Sequence, residues 1–274
     1  MSSAPKTCGQ TSPVTNKYVE LNDDILIQIL SHLPLRDLIT NIPLVDKRFN
    51  GFVQQNMLWE MKCRNGGIST QNVLHPIPDT YKELYFNETY GQNLIKNCCA
   101  TEKFEHWTID KDGGDGFHVE VSPRGASPIP PKAFEESGEP IIKNWVTSYQ
   151  WCKKSQVVNL MESDFAVLMD MYQPDILVSV WLCGRFDCGS EYKLKIQLLD
   201  KSKSVIDEHM IHEDIPSGRK WKKLAFPISQ YGKGVRYLRW SHSGKDTRFW
   251  AGRYGAKFTL CILRLKFSFT TSNT

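Results

Sequence analysis

The clearest pattern of apolar and polar positions runs from Leu21 to Trp59, LNDDILIQILSHLPLRDLITNIPLVDKRFNGFVQQNMLW. Leu21, Ile25, Leu26, Ile29, Leu30 and Leu33 recur at helical spacing, which predicts a helix with one apolar face. Asp23 and Asp24 fall in its first turn, where negative charge suits the helix dipole. Pro34 ends it. A second short helical run carries Leu35, Leu38, Ile39 and Ile42 and stops at Pro43. A third holds Leu44, Val45, Phe49, Phe52 and Val53. Leu58 and Trp59 close the stretch, and helix is expected on to Arg64, before the stop signal Asn65-Gly66-Gly67. About forty residues are too few to bury so many large apolar groups internally. The helices therefore either pack on the rest of the chain or offer a surface to a partner.

The flanking segments have other textures. Residues 1–18 are polar and rich in Ser, Thr, Pro and Lys, and read as a disordered arm. Residues 66–84, with Pro76 and Pro78, read as a linker leading into a helix at Tyr81–Phe86 and beyond. Past Phe104 the period changes to that of strands separated by turns. Strands are expected at Phe104–Ile109, Phe117–Val121, Asn144–Leu160, Ile176–Phe186, Glu191–Leu199, Trp221–Phe226, Val235–Ser241 and Thr259–Phe269, with a short helix at Asp164–Met171. The fold class is α+β: a small N-terminal three-helix module over 19–65, then an antiparallel β-sandwich or jelly roll over 85–270.

Composition narrows the function. The hydrophobic share of 41% and charged share of 23% are those of an ordinary globular protein. A net charge of +4 without a block of like charges disfavours nucleic acid. The longest apolar run, Ile176–Cys183, is too short for a bilayer, so membrane insertion is not expected. The N-terminus has no apolar signal core, which points to the cytoplasm. There free thiols are expected of the eight cysteines. Cys98 and Cys99 are adjacent, and Cys183 and Cys188 have no second pair, so neither a metal site nor a cofactor is expected. Asn87-Glu88-Thr89 is a formal glycosylation acceptor expected to go unused.

Enzyme signatures are missing. There is no Gly-x-Ser-x-Gly, no His-Glu-x-x-His and no phosphate-cradling Gly-Lys-(Ser/Thr) loop. Gly113, Gly114 and Gly116 join two strands and read as a turn. The seven histidines are scattered, and His118 reads as a surface or packed residue. The acids form no recognisable pair for glycoside cleavage. Aromatic residues carry more information. Trp181 and Trp221 suit a sandwich core. Phe249 and Trp250 follow a polar stretch, Ser241–Asp246, read as a loop, so they are expected to be partly exposed. An exposed ring suits the C–H face of a pyranose, while nearby polar groups take its hydroxyls.

Two resemblances follow from ordered residues. The series Leu21, Asp24-Ile25-Leu26, Ile29-Leu30, Leu33-Pro34, Asp37-Leu38, Val45-Asp46-Lys47-Arg48-Phe49 and Leu58-Trp59 resembles the F-box, which docks on the Skp-type adaptor of a cullin–RING ubiquitin ligase. The resemblance implies adaptor contacts from Leu21, Ile25, Leu26, Ile29, Leu30, Leu33, Pro34, Leu38, Val45 and Trp59. The family usually has Pro after the first Leu. Asn22 stands there, a departure expected to weaken the start of that contact.

Residues from about Tyr85 to Phe269 resemble the F-box-associated domain of the glycoprotein-recognising F-box proteins. The matches are Tyr149–Leu160 (YQWCKKSQVVNL), Gln173–Ile176, Trp181 with Gly184-Arg185-x-Asp187-Cys188-Gly189, Tyr231-Gly232-x-Gly234-Val235-Arg236, and Gly244–Gly255. In that family the domain is a galactose-binding-like jelly roll, and its best-studied glycan binder grips the chitobiose of high-mannose N-glycans. By motif, Tyr149, Asp187, Phe249 and Trp250 fall at its sugar-binding positions. Ala251 replaces a Lys and Phe249 a Tyr. The resemblance implies a non-catalytic receptor that presents misfolded N-glycosylated clients to the ligase for ER-associated degradation. Its rivals are a receptor reading a protein degron, with the sugar pocket degenerate, and a sandwich-fold glycosidase.

Overall fold

The computed structural model describes residues 21–71 and 80–269. The arm expected over 1–18 lies outside the described residues, as do Pro76 and Pro78 of the expected linker. The chain divides into two compact units, Met1–Asn72 and Val73–Thr274. Among the described residues no helix is long and apolar enough to cross a membrane.

The first unit holds α1 (Asp23–Ser31), α2 (Leu35–Thr40), α3 (Lys47–Gln54) and α4 (Asn56–Asn65), with a 3-10 turn at Ile42–Leu44. Among the described residues the three-helix expectation is corrected to four α-helices, because the third run breaks at Gln55, whose backbone is extended (φ −80°, ψ 132°). Six residues of unbroken helix would point Phe52 and Leu58 about 120° apart. The break lets both face inward, each 1% exposed or less. The Trp59 indole N–H donates to the Val53 carbonyl at 2.8 Å. Asn22 caps α1, its side chain accepting from the Asp24 N–H at 3.0 Å. Asp46 caps α3 in the same way, accepting from Phe49 N–H. Lys62 from α4 donates to the Leu33 carbonyl at 2.8 Å and so closes the far end of α1.

The apolar face expected of α1 is two stripes. Leu26, Ile27 and Leu30 are buried. Ile25 and Ile29, one turn apart, stand 47% and 52% exposed.

The second unit opens before residue 85, with α5 (Thr80–Tyr90). Phe86 packs against Tyr90, Tyr172, Phe267 and Phe269. The Asn87 amide of the glycosylation signal clasps the Phe267 backbone, donating to its carbonyl and accepting from its N–H, both at 2.9 Å. Ten strands follow: β1 (Thr108–Asp112), β2 (His118–Glu120), β3 (Asn144–Val146), β4 (Cys152–Asn159), β5 (Asp175–Cys183), β6 (Ser190–Leu199), β7 (Val205–Ile215), β8 (Lys222–Ile228), β9 (Tyr237–Asp246) and β10 (Lys257–Lys266). Helices α6 (Pro131–Ser137) and α7 (Phe165–Met171) interrupt them. The strands form two antiparallel five-stranded sheets, β1-β4-β9-β6-β7 and β2-β3-β10-β5-β8, the β-sandwich the pattern predicts.

Four segments differ from the expected strands. The first, Phe104–Ile109, is turn as far as His106, and β1 begins only at Thr108. The run 144–160 is split between the sheets, and Thr147–Trp151 crosses from one to the other. The polar stretch Ser241–Asp246 is the buried end of β9 and not a loop. Strand β7 was not expected. It is an edge strand, VIDEHMIHEDI, with acids on both faces and no residue buried.

Between the sheets lie Trp145, Tyr192, Trp240, His242 and Phe258, all at most 1% exposed. The Tyr192 hydroxyl sits 3.0 Å from His242 Nδ1, and Trp107 stacks on the imidazole at 5.0 Å. Burial, with the nearby Lys154 amine, holds the His242 pKa well below its ordinary value. Lys154 is itself buried, its Nζ 3.2 Å from the centres of both the Trp107 and Trp145 rings. Glu120 and Lys257 form a buried ion pair at 2.8 Å that ties β2 to β10 across β3.

Candidate ligand-binding site

Four inter-sheet connections meet at one end of the sandwich: 112–117, 147–151, 184–189 and 247–256. Hydrogen bonds join them. The Ser148 hydroxyl donates to the Gly252 carbonyl at 2.6 Å and accepts from Asp115 N–H at 2.9 Å. Asp115 accepts in turn from Gly252 N–H, and Thr247 N–H donates to the Gly189 carbonyl at 3.0 Å. Gly114 has to be glycine twice over. Its φ is +63°, and a Cβ there would stand 2.7 Å from Ser148 Oγ and 2.9 Å from the Tyr149 ring.

Asp246 sets the shape of the aromatic loop. It is 2% exposed at the end of β9, and its carboxylate accepts from the backbone N–H groups of Arg248 (2.9 Å), Phe249 (2.5 Å) and Trp250 (3.2 Å). These bonds hold Phe249 in a left-handed conformation, φ 57°, which costs energy for a bulky residue. The result is outward presentation: Phe249 is 67% and Trp250 39% exposed. Tyr149 meets Phe249 edge to face, with centroids 5.0 Å apart. Trp250 meets Tyr254 edge to face at 5.6 Å.

Of the four residues implied by the motif, Tyr149 and Phe249 are in contact, and Trp250 follows on the same loop. Asp187 is linked to them through Arg185. The Arg185 Nε donates to Asp187 Oδ1 at 2.7 Å, while its guanidinium lies 4.6 Å from the Tyr254 ring. One oxygen of Asp187 is therefore already engaged. Cations near Ala251 divide clearly. Lys154 is in the core. Lys153 is 3.7 Å from Asp110 on the sheet surface. Arg248 lies over the Trp250 ring at 5.2 Å, while Arg253 on the same loop donates to the Asp115 carbonyl at 2.9 Å. Sequence reasoning passed over Arg248, Tyr254 and the anchoring Asp246. The signal for Asp246 was present: a short acid followed by a loop, able to accept from backbone two to four residues on.

The residues implied as adaptor contacts separate into two sets. Leu21, Ile25, Ile29, Pro34 and Val45 are exposed and Leu33 is half-buried. Leu26, Leu30, Leu38 and Trp59 are 0–4% exposed; they build the core of the first unit and present no surface. Leu44, outside the expected set, is 81% exposed and the most open of all.

A small helical unit with an exposed aliphatic stripe, and a β-sandwich with aromatic residues raised on its end loops, define a two-module protein with apolar side chains exposed on each module. Residues 85–264 match the family described as the F-box associated region. Human F-box only protein 44 is 37% identical over 246 residues, covering 88% of this chain and 93% of its own length. Human F-box only protein 6 is 35% identical over 249 residues, covering 88% and 81%. Human F-box only protein 17 is 28% identical over 265 residues, covering 90% and 91%. The chain belongs to the F-box only proteins that carry an F-box associated region. Among solved structures, TmCBM61 in complex with β-1,4-galactotriose aligns with a TM-score of 0.39 at 15% identity, over 65% of this chain and 99% of that one.

Proposed function

We propose that this chain is the substrate-recognition subunit of an SCF-type ubiquitin ligase that binds the chitobiose core of high-mannose N-glycans on misfolded glycoproteins. The observation that carries the reading is the exposed pair Phe249 and Trp250, raised at the sandwich end by the buried Asp246 carboxylate, with half-buried Tyr149 against Phe249. Trp250 stacks on a GlcNAc face. Tyr149 and Phe249 form a slot for an N-acetyl methyl group. Asp187 and Arg248 supply an acceptor and a charged donor for hydroxyls and amides, and Arg248 takes the place of the cation that Ala251 lacks. The exposed stripe of Leu21, Ile25 and Ile29, with Leu33, Pro34, Leu44 and Val45, docks on the Skp-type adaptor. The chain makes and breaks no bond. It acts in the cytoplasm by holding a client near the ligase's transfer machinery, which leads to ubiquitination and ER-associated degradation.

Retention of a denatured high-mannose glycoprotein on the immobilised protein, before and after enzymatic glycan removal, tests the reading. Glycan removal is expected to abolish retention, as is Trp250→Ala. Undiminished retention of the deglycosylated client overturns it in favour of a protein degron. That second reading rests on Ala251 and on the engagement of Asp187 by Arg185, which together leave a sugar fewer free polar partners.

A further inference from the structure

A second cluster of reactive side chains lies elsewhere on the sandwich. Cys98, Cys99 and Glu139 bring one donor atom each to within 4.8 Å of one another. Cys98 Sγ is 3.8 Å from Glu139 Oε1. Cys99 Sγ is 3.8 Å from Thr101 Oγ1 and 3.7 Å from the Ile141 carbonyl. Neighbouring ligands on a tetrahedral zinc ion stand about 3.5–3.8 Å apart, given Zn–S near 2.3 Å and Zn–O near 2.0–2.2 Å. The donors are thus close to ligand spacing before any ion arrives.

Adjacency of the two cysteines argues against a metal site from sequence alone. What sequence does not show is the arrival of Glu139, forty positions on, from the connection after α6. The Glu139 carboxylate is half-buried, and among the described residues its side chain meets a thiol and no cation. A carboxylate beside two thiols is a donor set suited to a soft cation, and the lysine amine at the edge of the cluster, Lys143 Nζ, donates to the Thr101 carbonyl at 3.3 Å. Its frame is fixed. The Cys98 carbonyl accepts from Cys261 N–H on β10, and the Cys99 carbonyl from Lys143 N–H, both at 3.0 Å. Left-handed residues on either side, Asn97 (φ 48°) and Ala100 (φ 60°), turn the chain so that both sulfurs reach the same place.

We propose that Cys98, Cys99 and Glu139 form a binding site for zinc. On binding, each thiol releases its proton to solvent as its sulfur bonds the ion, and the Glu139 carboxylate completes three ligands. The Thr101 hydroxyl or a water fills the fourth position. Two thiolates select zinc over magnesium or calcium, which prefer all-oxygen sites. The bound ion pins the 96–101 turn to the connection between α6 and β3. The other cluster of potential ligands, Glu191, His212 and Asp214, is more exposed, and Lys245 already holds Glu191 at 2.9 Å.

The test is titration of the reduced full-length protein, in a Cys8→Ser background, with cadmium as an absorbing stand-in and with zinc against a chromophoric chelator. One equivalent of cadmium is expected to give a thiolate-to-metal charge-transfer band. Cys98→Ser and Cys99→Ser should each remove the tight site. Glu139→Gln should weaken zinc at least tenfold, while His212→Ala and Cys63→Ser leave it unchanged. Absence of the band overturns the proposal, as does loss of binding in His212→Ala. Should the buried cysteine variants fail to fold, Glu139→Gln decides alone, since the carboxylate is half-buried and its replacement nearly isosteric. Zinc affinity unchanged in that variant overturns the site.

Discussion

Asp246 and Trp250 divide the roles at the loop end: one fixes the backbone, and the other is the ring proposed to meet the ligand. Because Trp250 is partly exposed, Trp250→Ala should leave thermal stability nearly unchanged while removing glycan retention. Arg248→Ala should weaken chitobiose binding by about tenfold or more, since a hydrogen bond from a charged group is worth about 1.5–3 kcal/mol. Competition binding with the free disaccharide measures it, and an unchanged affinity removes Arg248 from the site. In the core, His242 makes stability depend on pH. The imidazole titrates near 6.5 in an unfolded chain, and burial lowers that value in the folded one. Between the two the unfolded state binds the extra proton. The stability His242 contributes is therefore full above about pH 6.5 and falls as pH drops below it, by up to about 1.4 kcal/mol per unit. Urea midpoints measured from pH 8 to pH 5 should decline below pH 6.5, and His242→Gln, less stable at pH 8, should show a shallower decline.

At the scale of elements, α1 carries two apolar stripes with opposite consequences. Ile25→Asp with Ile29→Asp changes exposed positions, so the unit should stay folded by circular dichroism yet fail to co-purify with the adaptor. Trp59→Ala removes a buried indole and should cost about 3–5 kcal/mol, with adaptor binding lost only because the unit unfolds. Much of this was legible in the sequence, because helical spacing and proline stops mark the helices directly. The split of the stripe was not, since spacing alone gives an apolar residue no side to face; Ile27 and Leu44 show it. Among the strands, those with alternating apolar residues were visible. Strand β7 was hidden because an edge strand buries little and carries charge on both faces. The crossing at Thr147–Trp151 was hidden because no Gly or Pro interrupts 144–160 to mark the change of sheet between β3 and β4. Tyr149, Phe249 and Trp250 could be picked out by motif, but their support could not: Asp246 lies in a stretch whose Ser, His, Gly and Lys read as loop and whose residues are buried in β9.

Across the whole molecule, the chain joins two separately built units. Each unit leaves apolar side chains exposed where its own core does not need them: Ile25, Ile29 and Leu44 in the first, Phe249 and Trp250 in the second. Exposed groups of that size on ordered elements point to partners. On the proposed reading, one chain with two such surfaces would bring an adaptor and a client together at high effective concentration. The most direct test of this account is calorimetric titration of the full-length protein with chitobiose beside its Trp250→Ala variant. Binding at millimolar affinity or tighter, absent in the variant, is the predicted result. No heat of binding with the wild-type chain, while the adaptor still co-purifies, would contradict the glycan site and leave a ligase receptor that reads its clients as protein.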